Sequence, residues 1–465
     1  MAQAIVFPHV HGLRHILVFL LQAVLCFAAY NHVVSADFQF DDEPNITKCL
    51  AIRMERLEWT ALKRAVLESA APNRILVSAS FALQYWASQF LPRLSEEEES
   101  GCRLEPWQFR LFNLCLHLLT GFAVYGLFLR LTQLPLAEKH IRRRGWLVAA
   151  LGAMVWFCSP VQTQAITYIV QRAAALATFF YVLGILCYLE ARARPDGWQR
   201  AFFFCLMLVC ALSSGFSKEI GATIVIAVPA LELLLIGRAR HNLHWALTAS
   251  ACLAAVVMLQ LLWFYGRTVD AGKGANVESS MALAGVMDDL VGKVKEDSVV
   301  ITKVRVSPRQ RLLTQARVVA MYQSLLVFPA PWRLTLDYDF RESLALFGLG
   351  EWEEWTRWIP LLLILAAAAT AIVSPPAWRS RAFLASLLLL GAAEATAHWH
   401  GLAFLRISAV WTEPWPVPAI IWHALLMGFA ALYSYRRPLL AFGVFFFYIG
   451  HLIESTVIVL SLIHI

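Results

Sequence analysis

Ile16-Leu-Val-Phe-Leu-Leu-Gln-Ala-Val-Leu-Cys-Phe-Ala-Ala-Tyr-Asn-His-Val-Val34 is followed within a few residues by Phe38-Gln-Phe-Asp41-Asp42-Glu43-Pro44-Asn45-Ile46. The first stretch is long enough to cross a hydrocarbon core of about 30 Å as a helix. The second sets adjacent carboxylates at the mouth of that helix, a costly arrangement unless they face water, a cation or a reacting group. The run follows Arg14 and the His9, His11 and His15 group, and no small-residue cleavage site closes it, so it reads as a retained signal anchor. The acidic turn is the leading place for chemistry, and its plainer reading is the hydrated end of a helix.

The rest of the chain repeats the apolar theme. It has 465 residues, 59% of them hydrophobic and 15% charged, with a mean hydropathy of +0.60, too apolar for a water-soluble globular protein. A formal charge of +7 could point to nucleic acid, but the Lys and Arg gather in short loops between apolar runs, where they set topology, so no nucleic-acid partner is expected. Further runs fall near 107–131, 146–158, 173–189, 201–212, 220–236, 243–265, 358–373, 382–397, 419–432 and 439–457, which predicts an all-α, polytopic transmembrane bundle of about 10–11 spans with external loop helices.

Basic clusters follow every second span: Lys139 with Arg142 to Arg144, then Arg192, Arg194 and Arg200, then Arg238 and Arg240. If all are cytoplasmic, the N-terminus is cytoplasmic and the acidic turn external. The same rule makes 318–334 a helix at the outer interface, within a long external segment at 267–355; residues 35–106 form the first external loop. Counting 318–334 as a span would put Arg379, Arg381, Arg436 and Arg437 outside. The nine cysteines show no CxxC pair, and Cys49 and Cys102, both in the first loop, could pair if that loop faces an oxidising compartment.

By this topology Arg74, Asn113, His117, Gln171, Arg172, Ser217-Lys218-Glu219, Arg317, Asp337, Asp339, His451 and Glu454 all sit toward the outer face. No P-loop or dinucleotide fingerprint is present, which argues against an ATP-driven pump. Carboxylates and cations at a membrane surface suit transfer from a lipid-phosphate donor. A carboxylate takes the proton of the attacking hydroxyl, and Arg and Lys stabilise the departing phosphate. Asp41 or Asp42 would be the base, with Arg172 and Lys218 as donor-phosphate partners. Plainer readings stand beside these: a Lys218–Glu219 interfacial ion pair, Arg172 snorkelling from a helix end, and an interhelical hydrogen bond for Asn113 or His117. Asp337 and Asp339 could share a divalent cation or lie in a solvated loop.

Several blocks, in order, resemble the membrane half of the transmembrane and tetratricopeptide-repeat O-mannosyltransferases and their bacterial relatives. They are Phe40-Asp41-Asp42, Arg74 to Tyr85, Phe112-Asn113 to His117, Ser159-Pro-Val-Gln-Thr-Gln-Ala165 to Arg172, Ser217-Lys218-Glu219, Leu312 to Arg317, Leu336-Asp337-Tyr-Asp339-Phe340 and Gly450-His451-Leu-Ile-Glu454. The resemblance implies a GT-C fold over 1–459, a polyprenyl or dolichyl phosphate sugar as donor, an exported protein as acceptor, membrane lipid around it, and inversion at the anomeric carbon. It puts the acidic motif on Asp41-Asp42 without saying which is the base. The Glu96 to Glu99 run departs from the family, as does the lack of a Glu-His-Arg motif and of repeats after Glu454. Leu460-Ser-Leu-Ile-His-Ile465 reads as one frame of a transposon-based sequencing adapter (CTG TCT CTT ATA CAC ATC), so 460–465 is expected to be artefact and the chain a truncated member. A bacterial inner membrane with a periplasmic active site is the expected location. The rivals are the same fold with a lipid or glycan acceptor, and a transporter using His117, Glu190, Glu232 and Glu394 as a relay.

Overall fold

Prolines open several of the helices. Pro106 starts a 27-residue helix, where its missing N–H is one that would have no partner anyway, and Pro438 does the same near the C-terminal end. The computed structural model describes residues 12–30, 36–69, 73–90, 105–194, 197–237, 240–274, 308–330, 333–334 and 416–453, with isolated positions between 381 and 399. It divides into two compact units, one of residues 1–158 and 162–305, the other of 159–161 and 306–465.

The first unit contains α1 (Gly12–Tyr30), α2 (Trp59–Glu68), α3 (Ile75–Ser88), α4 (Pro106–Thr132), α5 (Lys139–Arg143), α6 (Gly145–Phe157), α7 (Thr163–Thr167), α8 (Arg172–Ala193), α9 (Trp198–Ser217), α10 (Ile224–Leu231) and α11 (Arg240–Gly274). The second has α12 (Pro308–Val327), α13 (Val417–Tyr433) and α14 (Pro438–His451). No strand occurs among the described residues, and the chain is an all-α polytopic membrane bundle. Six described helices are long and apolar enough to cross a membrane, or up to seven counting a bent pair that includes α6. The run at 146–158 becomes the 13-residue α6, too short to span alone. The runs at 358–373 and 382–397 fall outside the continuously described residues.

Within the first unit α4 is the hub, packing on α1, α6 and α8, while α8 lies along α9. Gly121 lets α4 approach closely: a Cβ there would collide with the Phe157 ring and meet Gln22 of α1. The faces that meet are read directly from α1, where Val18, Gln22, Cys26 and Tyr30 are buried at helical spacing while Leu17, Leu20, Leu21 and Val24 are exposed, as a lipid-facing stripe would be. In the first unit Glu232, fully buried, accepts hydrogen bonds from the Tyr188 hydroxyl (2.6 Å), Arg192 Nε and Nη2 (3.0 and 2.8 Å) and Asn242 Nδ2 (2.7 Å). Glu190 is paired with Arg130 (2.5 Å) and Arg194 (2.9 Å).

In the second unit, α12 begins ten residues before the apolar run that announced it. Its Gln323 accepts from Trp422 of α13 (2.6 Å). His423 holds the Ala316 carbonyl through Nε2 (2.8 Å) and meets the Tyr448 hydroxyl at Nδ1 (2.7 Å), which fixes its tautomer.

Candidate active site

The acidic turn is built on a strained residue. Phe40, 74% exposed, has a φ of 41°, the left-handed region that bulky side chains rarely adopt. The reversal sends the next two carboxylates to different surroundings. Asp42 is fully buried, with Oδ1 accepting the Val170 amide (2.8 Å) and Oδ2 the Gln39 amide (3.1 Å). Asp41 is half-buried. Its own amide donates to the Tyr168 hydroxyl (2.9 Å), and its carbonyl accepts from Asn45 Nδ2 (2.8 Å). Glu43 lies outside, in an exposed ion pair with Lys48 at 2.7 Å.

The turn is therefore strapped to the segment that precedes α8, and Arg110 of α4 ties both down. Its Nε donates to the Thr167 carbonyl (3.0 Å), and its two terminal nitrogens donate to the carbonyls of Ala36 and Asp37. Burial raises the Asp42 carboxyl above its ordinary value, against the lowering effect of the Gln39 and Val170 amides and the Arg110 charge. Burial likewise pushes the Tyr168 hydroxyl up to about 12, with the Asp41 and Asp42 carboxylates adding to it.

Arg172 is completely buried at the start of α8. It donates to Asn113 Oδ1 (2.9 Å), Gln84 Oε1 (2.6 Å), the Phe109 carbonyl (3.1 Å) and Ser80 Oγ (3.4 Å), and its guanidinium lies 4.4 and 4.3 Å from the Phe81 and Phe112 rings. Asn113 in turn reaches the carbonyls of Ile166 and Ile169, both at 3.4 Å. The Pro-Val-Gln-Thr-Gln-Ala block thus leads into a turn held by Asn113, Arg110 and Asp42. His117 bonds the Phe157 carbonyl (3.2 Å) and stacks on Phe157 and Trp156, the interhelical contact anticipated for it. As the chain stands, Arg172 is enclosed by protein groups, so its guanidinium is not open to a donor phosphate.

A more accessible cation lies beside the turn. Arg74, at the start of α3, faces Glu219 at 3.9 Å, both about a quarter exposed, and Lys218 sits in extended backbone where α9 ends. Arg74, Asn45, Ser69, Ser78 and Val170 line a small cleft against the acidic turn. Gln171 is half-buried between the Asp42-bound Val170 and Arg172. Arg317 and His451 belong to the second unit. Arg317 is fully buried on α12, and His451 stacks against Tyr322. Asp337, Asp339, Glu454, Cys102 and the Glu96 to Glu99 run lie outside the described residues, while Cys49 is a buried free thiol. Among the described residues no three His, Cys, Asp or Glu side chains gather as a metal set.

Two participants escaped the sequence reading. Arg110 was signalled by a charge within a long apolar run, the usual mark of an intramembrane functional or structural group. Tyr168 lay inside a quoted block with nothing to single it out.

The helices and this site define an integral membrane protein of all-α build, with a carboxylate pair and nearby cations held just beyond its first span. Over 218 residues the chain is 28% identical to Protein O-mannosyl-transferase TMTC2 of Mus musculus, and equally to that of Homo sapiens, a match covering 46% of this chain and 23% of each relative. The match thus spans less than a quarter of those relatives' length. No protein-family model and no solved structure matches the chain. This distant similarity and the membrane-spanning helices together fit a membrane glycosyltransferase.

Proposed function

We propose that the chain transfers a sugar, with mannose the first to test, from a polyprenyl or dolichyl phosphate to a Ser or Thr hydroxyl of an exported protein, with inversion. The observation that carries this reading is the division between the two aspartates: Asp42 is enclosed and bonded to two amides, while Asp41 is only half-buried and is bonded through its carbonyl to Asn45, which with Arg74 lines the small cleft. Asp41 is the base. It accepts the proton as the acceptor oxygen bonds to the anomeric carbon, the carbon–phosphate-oxygen bond breaks, and the phosphate leaves with the lipid. Lys218 and Arg74 supply positive charge for that phosphate, in which case the long Arg74–Glu219 pair loosens on donor binding. Arg172 serves as the support beneath the turn. In a bacterial inner membrane the site would face the periplasm, with the N-terminus cytoplasmic.

The same chemistry on a lipid or glycan acceptor is the second reading. The relay reading has less behind it, because Glu190, Glu232 and His117 each have their own close partners. The test uses membranes containing the chain, a radiolabelled polyprenyl phosphate mannose, and a Ser/Thr-rich peptide. Asp41→Asn should reduce transfer by about 10²–10⁴-fold, the usual contribution of a positioned base, with insertion unchanged. Full activity in Asp41→Asn, Asp42→Asn and the double variant would remove the acidic turn from the mechanism.

A further inference from the structure

The connection between α4 and α6 is a rigid basic platform that the transfer reaction does not use. Arg142 turns its guanidinium inward, with Nη2 donating to the carbonyls of Leu134 (2.8 Å), Pro135 (2.6 Å) and Ala137 (3.2 Å), and the Leu136 amide bonds the Leu235 carbonyl (3.0 Å). So fixed, the connection leaves Lys139, His140, Arg143 and Arg144 exposed, and no ion pair to any of them occurs among the described residues. The one carboxylate here, Glu138, has an oxygen turned into the protein. Exposed Arg14 of α1 adds a further cation, its guanidinium 4.8 Å from the Trp146 ring.

The patch also continues into an apolar face. From Arg143 and Arg144 the exposed side chains Leu147 (38%), Leu151 (59%) and Val155 (76%) follow at helical spacing along α6. Trp146, 37% exposed, stands at the junction, where an indole suits the boundary between headgroup and hydrocarbon. In a bilayer, the anion whose charge is joined to hydrocarbon is an acidic lipid. Guanidinium groups bind phosphate oxygens in pairs, and the exposed face gives an acyl chain a track.

We infer that Lys139, Arg143, Arg144 and Arg14 form a headgroup site for an acidic glycerophospholipid, with one acyl chain along Leu147, Leu151 and Val155. The site is independent of the acidic turn and of the transferase reading. Each cation near a lipid surface contributes about fivefold, so removing three should lower the preference for an anionic over a zwitterionic lipid about 100-fold.

The purified full chain is washed in detergent with equal phosphatidylglycerol and phosphatidylcholine, and retained lipid is read by native mass spectrometry. The unmodified protein should keep phosphatidylglycerol selectively. The K139Q/R143Q/R144Q variant should lose the preference, and R56Q/K63Q/R64Q, altered at exposed cations near the acidic turn, should keep it. Equal retention of both lipids, or equal loss in both variants, overturns the site. Competition by millimolar glycerol 3-phosphate would make it a soluble-phosphate site and also overturn it. Because a triple variant could fold poorly, the unmodified chain is also exposed to phosphatidylglycerol with a photoreactive acyl chain. Labelling should centre on Leu147 to Val155, and labelling that avoids α6 refutes the assignment.

Discussion

Replacing Arg172 separates the two roles open to it, support of the turn or contact with the donor phosphate. Arg172→Met keeps the approximate length and removes every hydrogen bond the guanidinium makes. It strands the buried Asn113 Oδ1 and the half-buried Gln84 Oε1, while the Phe109 carbonyl keeps its place in the α4 backbone ladder. Each buried acceptor left alone costs about 1–3 kcal/mol, and the lost contacts with the Phe81 and Phe112 rings add about 2 kcal/mol. Relief from burying a cation offsets part of this, and breaking a buried charged network costs about 3–5 kcal/mol in comparable cases. A loss of about 4 kcal/mol follows, roughly a thousandfold in the ratio of folded to unfolded protein. Arg172→Lys keeps the charge but offers three donors from one point rather than a planar fork, so about 2 kcal/mol should remain lost. Reversible denaturant unfolding in detergent, followed by tryptophan fluorescence, measures both. If Arg172→Lys unfolds like the unmodified chain while the KM for the donor rises tenfold or more, Arg172 is a phosphate ligand and the support reading is wrong.

Because burial raises the Asp42 carboxyl above its ordinary value of 3.8, the folded chain holds that proton more tightly than the unfolded one. Stability from this group is therefore full below about pH 4 and falls as pH rises through the raised value; unfolding midpoints from pH 4 upward should show that slope, and Asp42→Asn should flatten it. Tyr168→Phe deletes the acceptor for the Asp41 amide and should cost about 1–2 kcal/mol, lowering transfer while membrane insertion measured by protease protection is unchanged. Glu232→Ala leaves Arg192 buried without its carboxylate and should destabilise by about 3–5 kcal/mol in the same unfolding assay; a loss below about 1 kcal/mol would show that the pair is solvated. Gly121→Ala pushes a methyl into the Phe157 ring and should cost about 1–3 kcal/mol, read as a lowered thermal midpoint.

Helices such as α1, α4 and α9 were legible because an apolar run of span length has few alternatives to a helix in lipid, where every backbone amide must be satisfied within the segment. The acidic turn was legible for a related reason, since charge at a helix mouth is expensive and so marks itself. What the residues did not reveal is which partner each charge would find. Arg172 looked like a cation available to phosphate, and Asn113 and Gln84 looked unconnected to it; only the crossing of α3, α4 and α8 brings their oxygens around its guanidinium. Arg110 stood out only as a charge within an apolar run, and its partners were hidden, because they are the carbonyls of Ala36, Asp37 and Thr167 and a backbone acceptor leaves no mark in a side-chain pattern. The same blindness hid the difference between Asp41 and Asp42, which depends on the Phe40 dihedral and on two amides, not on residue type. The proposed division of roles within the pair rests on those surroundings. A carboxylate already accepting two amides in a water-free place has its acceptor capacity directed inward, toward holding the turn against α8. Its neighbour is only half-buried and is fixed through its main chain by Tyr168 and Asn45, so in the proposed reading its carboxylate is the one left to take a proton from an incoming hydroxyl.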